Sequence, residues 1–271
     1  MRQNLKRPNN TRSMFNALLD TRNVVTAVIL RDIRSRFFNH GLGFIIVPLW
    51  PFVHMGVIII IHSFAHGQPP YGESSAIFYM TGVIPFLAFS YTSRFMGYSL
   101  HSNKNMLAFP IVRVFDVVLG RAVLEMLSAF ATLGLIVITI LLLGENPFPT
   151  NIEVAVSAYL ATLFLAFGCG FFVAVISLLA PIALTIYQLI IIVLYISSGI
   201  FFVPSNLPDA LSYFLWFNPV LECIEWLRMG YYESYSDKLV SPTYVISFAA
   251  LASFLALFIE YVFRRQVSEG P

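Results

Sequence analysis

Charged residues are scarce in this sequence. They make up 11% of its 271 residues and hydrophobic residues make up 58%, whereas a soluble globular protein carries about 25% charged residues. An apolar excess of this size cannot be buried in a soluble domain, so the composition predicts an integral membrane protein. A transmembrane barrel is excluded because it needs alternating segments of about 10 residues, and the apolar runs here are continuous. We therefore expect an all-α membrane protein.

The sequence also lacks the motifs that hold nucleotides and metals. It contains no GxxxxGK[ST] phosphate loop and no HExxH zinc signature. Its two cysteines, Cys169 and Cys223, fit no metal spacing, and we expect no disulfide between them. The sequence therefore predicts no metal and no cofactor in this chain, and any ATP chemistry belongs to another chain.

Charges and prolines delimit six apolar segments, each long enough to cross a bilayer core of about 30 Å. No residue from Val154 to Pro208 is charged, and because this stretch is too long for one helix we place a turn at Pro181. Fourteen of the 16 basic residues then fall on the side of the two termini, which predicts cytoplasmic termini. The predicted spans are residues 42–65, 76–98, 117–143, 154–179, 182–203 and 243–263.

Two further segments are apolar without being spans. Residues 13–38 place five apolar side chains on one half of a helical wheel, with Arg31 and Arg34 opposite, which predicts an amphipathic helix in the inner interface. Residues 205–235 are too apolar for an external loop and are too broken by prolines and acids to cross the membrane. We expect them to form re-entrant helices on the periplasmic side, between spans five and six.

Two pairs of opposite charge are spaced one helical turn apart near the predicted inner interface. Arg121 and Glu125 share a face of span three, and they form either a structural ion pair or a functional intramembrane pair. Asp32 and Arg36 lie inside the apolar half of the interface helix, so we expect them to face protein rather than lipid.

The remaining basic residues of the interface helix are candidates for substrate access. Arg31 and Arg34, together with the adjacent Arg36, bind either an anionic substrate or the headgroups of anionic lipids. Aromatic side chains with polar tips suit sliding contact with sugars, although ordinary belt and core packing explains them equally well. The aromatic candidates for a translocation path are Tyr187, Tyr195, Phe201, Phe202, Trp216 and Trp226.

Several short motifs, in order along nearly the whole chain, resemble one family. They are residues 30–37 (LRDIRSRF), 42–44 (LGF), 82–86 (GVIPF), 121–125 (RAVLE), 198–201 (SGIF), 207–208 (LP) and 218–219 (NP), together with Glu225 and Arg228, which form a further candidate ion pair. Taken together they resemble the membrane subunit of ABC-2-type exporters, and specifically the capsular polysaccharide export permeases of Gram-negative bacteria, the KpsM/CtrC type.

The resemblance implies a half-transporter in the bacterial inner membrane. Two copies form the channel, and two separate nucleotide-binding subunits, which hold ATP and Mg²⁺, drive it from the cytoplasm. The cargo implied is a lipid-linked acidic polysaccharide, passed on to a periplasmic co-polymerase or adaptor and an outer-membrane export protein, with no nucleic acid involved. The segment between spans two and three, residues 101–112, would couple to the ATPase, the Pro181 turn would be a second contact, and residues 205–235 would form the external gate. The coupling residues implied are His101, Ser102, Asn103, Lys104, Asn105, Val112 and Pro181.

Other functions stay open at the level of the sequence. The same fold exports O-antigen or teichoic-acid precursors. A membrane-embedded glycosyl- or acyltransferase would need a cluster of acids or histidines near one interface, and none is seen. A passive channel or scaffold would work without ATP. Six spans with no ionisable residue clearly at the midplane argue against an ion-coupled transporter and favour an external energy source.

Overall fold

The computed structural model describes residues 14–36, 43–66, 68–109 and 111–263, and this part of the chain is helical, with no β-strand. The described residues also include one 3₁₀ turn, Pro204–Asn206, between the helices Ile182–Ser197 and Asp209–Leu215. The ten α-helices are α1 Met14–Arg36, α2 Gly43–His66, α3 Ser75–Ser102, α4 Lys104–Leu107, α5 Val114–Leu142, α6 Ile152–Leu179, α7 Ile182–Ser197, α8 Asp209–Leu215, α9 Pro219–Tyr231 and α10 Pro242–Val262.

Local sequence determines where the helices begin. The side chains of Ser74, Asn151, Asn218 and Ser241 each accept a backbone N–H from the first turn of the helix that follows. Such caps satisfy donors that a helix start leaves without partners. The helices α3, α6 and α10 start toward one end of the bundle, where α9 ends, since the Asn151 N–H donates to the Gly230 carbonyl oxygen. We call this the α9 end. The opposite end, where α3 finishes and α4 lies, we call the α4 end.

The helices α3 and α6 form the centre of the bundle, and α10 packs on the other face of α6. Two glycines of α6 allow α3 and α10 to pack closely against it. A Cβ at Gly170 would lie 2.9 Å from the Ser93 carbonyl oxygen of α3, and a Cβ at Gly168 would overlap the Ala249 carbonyl oxygen of α10. Small residues at such positions let apolar helices approach closely enough for dispersion contacts to hold them together.

Four helices of the described chain are long and apolar enough to cross a membrane, namely α3, α5, α6 and α10. The apolar helix α7 is shorter, with 16 residues, which corresponds to about 24 Å. The helix predicted over residues 182–203 therefore ends at Ser197, six residues early. Gly199 adopts a φ of 74° and Pro204 follows, and both residues oppose continuation of a right-handed helix. In α3, by contrast, the helix runs beyond the predicted residue 98 to Ser102.

We predict that Gly170→Ala destabilises the protein by about 1–3 kcal/mol, because the new methyl group must displace the backbone of α3. The free energy of unfolding, measured by denaturant titration in detergent micelles, tests this. Gly134→Ala on α5 is the matched control, since a Cβ there meets nothing within 4 Å. Equal stability of the two variants would contradict the close packing of α3 and α6.

Candidate functional site

A buried arginine joins α1 to α5 near the α4 end. Arg121 Nη1 lies 2.8 Å from Asp32 Oδ2 of α1, and Arg121 Nε lies 2.9 Å from Glu125 Oε1 on its own helix. All three side chains are buried. The planar guanidinium can bind two carboxylates at once, which a lysine ammonium does less well. Gly120 allows the approach, since a Cβ there would lie 3.0 Å from Val28 of α1.

A second arginine of α1 contacts the end of α3. Arg31 donates to Asn103 Oδ1 at 2.7 Å and to the Ser102 carbonyl oxygen at 3.1 Å. Asn103 is itself buried and donates to the Ser99 carbonyl oxygen at 3.0 Å. The helix α1 is therefore tied both to α5 and to the junction between α3 and α4.

These contacts bear on two expectations about the interface helix. Asp32 faces protein, as expected, and Arg121 is one of its partners. The pair expected between Asp32 and Arg36 stays a prediction, because the Arg36 side chain lies outside the described residues. Arg31 turns toward protein instead of lying opposite the packed face, because Asn103 offers it a strong acceptor. Arg34 remains exposed.

The segment after α3 presents a partly apolar surface at the α4 end. Lys104 and Asn105 are exposed, Val112 is half-buried, and the apolar side chains Phe109 and Ile111 are exposed at 61% and 48%.

The turn between α6 and α7 lies at the same end. His101 Nε2 lies 3.1 Å from Ser177 Oγ, near the C-terminal end of α6, and the exposed Pro181 follows in the turn. The structure thus brings residues 101–109, residues 111–112 and Pro181 to one end of the bundle.

A third arginine organises the α9 end. Arg228 of α9 is completely buried, and its guanidinium donates to the carbonyl oxygens of Gly199 at 2.8 Å, Ile200 at 3.2 Å and Phe202 at 3.3 Å. These carbonyls follow the end of α7, where no further helical turn supplies N–H donors. Arg228 therefore supplies the donors that the interrupted helix has lost.

The surroundings of Arg228 complete this cluster. Arg228 Nη1 lies 3.2 Å from Glu225 Oε1, which also accepts the Tyr235 hydroxyl at 2.8 Å. The Phe78 ring lies 4.1 Å from the guanidinium carbon, a cation–π distance. A Cβ at Gly82 would lie 2.9 Å from Arg228 Nη2, so only glycine leaves room for the guanidinium there.

Other polar side chains bind the α9 end together. Asn218 caps α9 and also donates to the hydroxyls of Ser197 and Ser198 at 3.1 Å each. Glu222 is buried, and it accepts the Ser241 backbone N–H at 3.0 Å, at the start of α10.

Comparison with known proteins identifies the family of this chain. The sequence profile of the ABC-2 type transporter family matches residues 23–232. The chain belongs to the ABC-2 type transporter family. It is 27% identical over 234 residues to the polysialic acid transport protein KpsM of Escherichia coli, covering 86% of this chain and 90% of KpsM.

Two further relatives show similar agreement. The chain is 25% identical to the capsule polysaccharide export inner-membrane protein CtrC of Neisseria meningitidis serogroup B, covering 86% of this chain and 88% of CtrC. It is 26% identical to the capsule polysaccharide export inner-membrane protein BexB of Haemophilus influenzae, covering 91% and 92%. The family resemblance inferred from the motifs is confirmed.

In this ABC-2 protein two of the aromatic candidates lie together. The Tyr195 ring is 5.0 Å from Phe86 and 5.5 Å from Phe201. Phe201 in turn stacks on His62 of α2 at 4.9 Å. These rings form one group on the side of α3 that faces α2 and α7.

The other aromatic candidates lie elsewhere in the described chain, and their part in a translocation path stays a prediction. Tyr187 lines an apolar groove of about 550 Å³ between α6, α7 and α10. Trp216 stacks on Tyr244 of α10 at 5.1 Å. Trp226 packs beside Leu227 near the start of α6, and Phe202 supplies a carbonyl to Arg228.

Sequence reasoning also missed some residues. The roles of Gly82 and Tyr235 depend on contacts with α9 that no local pattern shows. Phe109 and Ile111 could have been found, because residues 106–112 form an uncharged, mostly apolar run inside the segment that separates spans two and three.

We predict that Arg121→Met lowers the free energy of unfolding by about 3–5 kcal/mol, because it removes the cation that two buried carboxylates share. Lys238→Met is the matched control. This variant breaks the ion pair between Lys238 Nζ and Asp209 Oδ1, which lie 2.6 Å apart. The two side chains are 53% and 90% exposed, so the free energy of unfolding should fall by under about 1 kcal/mol. Similar losses in a denaturant titration of both variants would refute the structural role of Arg121.

We further predict that Arg228→Lys destabilises the α9 end although it conserves the charge. An ammonium cannot reach three carbonyls and Glu225 as the guanidinium fork does, so the chain after α7 should loosen. Hydrogen exchange of residues 198–203 should speed up by about tenfold or more, corresponding to at least one lost charge-assisted hydrogen bond. Exchange at the start of α5 should not change. Unaltered exchange at 198–203 would contradict this role.

Proposed function

We propose that this chain is the transmembrane half of an ATP-driven exporter that moves a lipid-linked, acidic capsular polysaccharide across the bacterial inner membrane. The match to KpsM, CtrC and BexB over nearly the full length of each protein carries the proposal. Two of these relatives are named as capsule polysaccharide export proteins, and the third is named for polysialic acid, which is an acidic polymer.

The proposed topology has six spans, with α2 and α7 joining the four long apolar helices. The short helix α7 crosses together with residues 198–203, and Arg228 donates to three of the carbonyls in this segment. Nonhelical backbone is tolerated at membrane depth where protein covers it. Both ends of the chain then face the cytoplasm with the α4 end, and α8 and α9 form re-entrant helices on the periplasmic side.

In the proposed mechanism a separate nucleotide-binding subunit, carrying ATP and Mg²⁺, docks at the α4 end. The exposed Phe109 and Ile111 give it an apolar contact, beside Lys104 and Pro181. A displacement of α4 is passed to α1 through the bond from Arg31 to Asn103 and Ser102, and from α1 to α5 through Asp32 and Arg121. Rigid contacts of this kind transmit motion because packed interfaces do not deform continuously.

The proposed gate is the α9 end. Arg228, Glu225 and Tyr235 hold the interrupted end of α7 against α9, so a rigid shift of α9 would carry residues 198–203 with it. A second copy of the chain completes the channel. A periplasmic co-polymerase or adaptor and an outer-membrane export protein then receive the polymer.

We predict that the chain co-purifies from native membranes in detergent with an ATP-hydrolysing subunit in equal amounts. Phe109→Asp should reduce the recovered ATPase by about tenfold or more, since it places a charge in an apolar contact. Phe148→Asp is the matched control, because Phe148 is 58% exposed and lies toward the α9 end. Loss of the ATPase from the Phe148 variant alone would reverse the proposed orientation, and a wild-type chain that purifies alone would refute the half-transporter.

A further inference from the structure

The helices α2 and α7 flank α3, and in the described chain they are not packed along each other. The space between them is bordered by polar and aromatic side chains, and we call it the α2–α7 seam. His54 of α2 and Tyr195 of α7 face each other across it with ring centroids 6.2 Å apart. The seam residues are Trp50, His54 and His62 of α2, Tyr91 and Arg94 of α3, and Gln188 and Tyr195 of α7.

The seam residues follow helical periodicity. On α2 they are separated by four and eight residues, and on α7 by seven, so each set occupies one face of its helix. Contact with lipid does not require polar groups. The exposed side chains of α10 between positions 248 and 258 illustrate this, since all of them are apolar: Phe248, Ala250, Leu251, Phe254, Leu255, Leu257 and Phe258. The polar character of the seam therefore points to contact with something other than lipid tails.

Arg94 is the cation of this seam. It is half-buried, its guanidinium carbon lies 5.0 Å from the Tyr91 ring centroid, and its Nη1 lies 3.5 Å from Gln188 Oε1. Eight residues separate it from the end of α3 at Ser102, or about 12 Å of helix. It is thus set back from the α4 end, inside the bundle.

The charge of Arg94 is not neutralised like those of the other buried arginines. Arg121 has two carboxylates and Arg228 has Glu225 with three carbonyls, whereas no carboxylate of the described residues lies within 4 Å of Arg94. Among those residues, the acceptors beside its five N–H donors are neutral oxygens, namely Gln188 Oε1 and the Tyr91 hydroxyl. An arginine at membrane depth without a counter-ion is costly, and such residues mark ligand pathways.

We propose that Arg94 binds an oxyanion of the exported molecule, a phosphate or a carboxylate, within the α2–α7 seam. The guanidinium fork matches both groups in a bidentate fashion. Trp50, Tyr91 and His54 offer flat faces with polar edges to the attached sugars. Substrate recognition thereby moves from Arg31, which Asn103 and Ser102 already occupy, to Arg94. The inference rests on the proposed function, because it assumes that the cargo is anionic and crosses beside α3.

Binding to the full-length chain in nanodiscs of phosphatidylcholine tests this site. Isothermal titration calorimetry with dodecyl phosphate and with a short oligogalacturonate probes the two oxyanions, and dodecyl maltoside and a maltooligosaccharide are their neutral counterparts. The wild type should bind at least one anionic probe more tightly than its neutral counterpart. Arg94→Gln should weaken that binding by about tenfold or more, the loss expected for one charge-assisted contact, and Arg94→Lys by less.

Two further variants distinguish loss of the anion site from loss of a positive charge elsewhere and from misfolding. Arg22→Gln on the exposed face of α1 removes the same charge and should bind like the wild type. Gln188→Glu keeps Arg94 but sets a carboxylate beside it, so it should also weaken binding of the anionic probe. If Arg94→Gln fails to fold, Gln188→Glu alone tests the anion site. Preference for dodecyl phosphate identifies the lipid phosphate as the ligand, and preference for oligogalacturonate identifies the sugar carboxylate.

The inference is overturned if the wild type shows no preference for either anion, or if Arg94→Gln and Gln188→Glu both bind like the wild type. Capsule export in cells distinguishes this failure from failure of the proposed function. A wild-type chain that restores export while showing no Arg94-dependent binding refutes the anion site alone. A chain that binds anions through Arg94 but never supports export refutes the proposed function and leaves the site standing.

Discussion

The bonds between Arg228 and the carbonyls that follow α7 are the contact on which the α9 end depends. A helix that stops inside apolar surroundings exposes carbonyl oxygens, and no bulk water is there to donate hydrogen bonds to them. Arg228 satisfies three of them from a neighbouring helix. Gly199 and Pro204 end α7 early, whereas the glycine at position 82 and the burial of Tyr235 follow from the space and partners that this guanidinium requires.

The α4 end is organised by the same chemistry with different acceptors. Arg121 joins two helices through carboxylates, and Arg31 joins a helix to a loop through an amide and a carbonyl. Because α1 carries both Asp32 and Arg31, one helix contacts α5 and the junction before α4 at once. A partner that moved α4 would therefore act on α1 and α5 together, and under the proposed function this is the mechanical role of α1.

The features that could be predicted from sequence are those with local causes. Apolar runs, capping residues and an (i, i+4) pair such as Arg121 with Glu125 involve neighbours along the chain, and the helices begin within a few residues of the predicted positions. The features that could not be predicted rest on distant partners. Asp32 and Arg121 are 89 positions apart, Arg31 and Asn103 are 72 apart, and Arg228 and Gly199 are 29 apart. No periodicity within one helix reports such contacts.

The way each arginine is neutralised also limits what it can do for a charged polymer. Arg121 and Arg228 are saturated by groups that hold the fold together, so an anionic chain could bind them only by displacing buried partners, at a high cost. A transported anion needs sites that bind it weakly enough to release it. Arg94, with one long bond to an amide and a ring beneath it, can exchange ligands without disturbing the packing of α3. Arg121 and Arg228, which hold the fold together, therefore differ from Arg94, the proposed anion site, in their partners rather than in their depth.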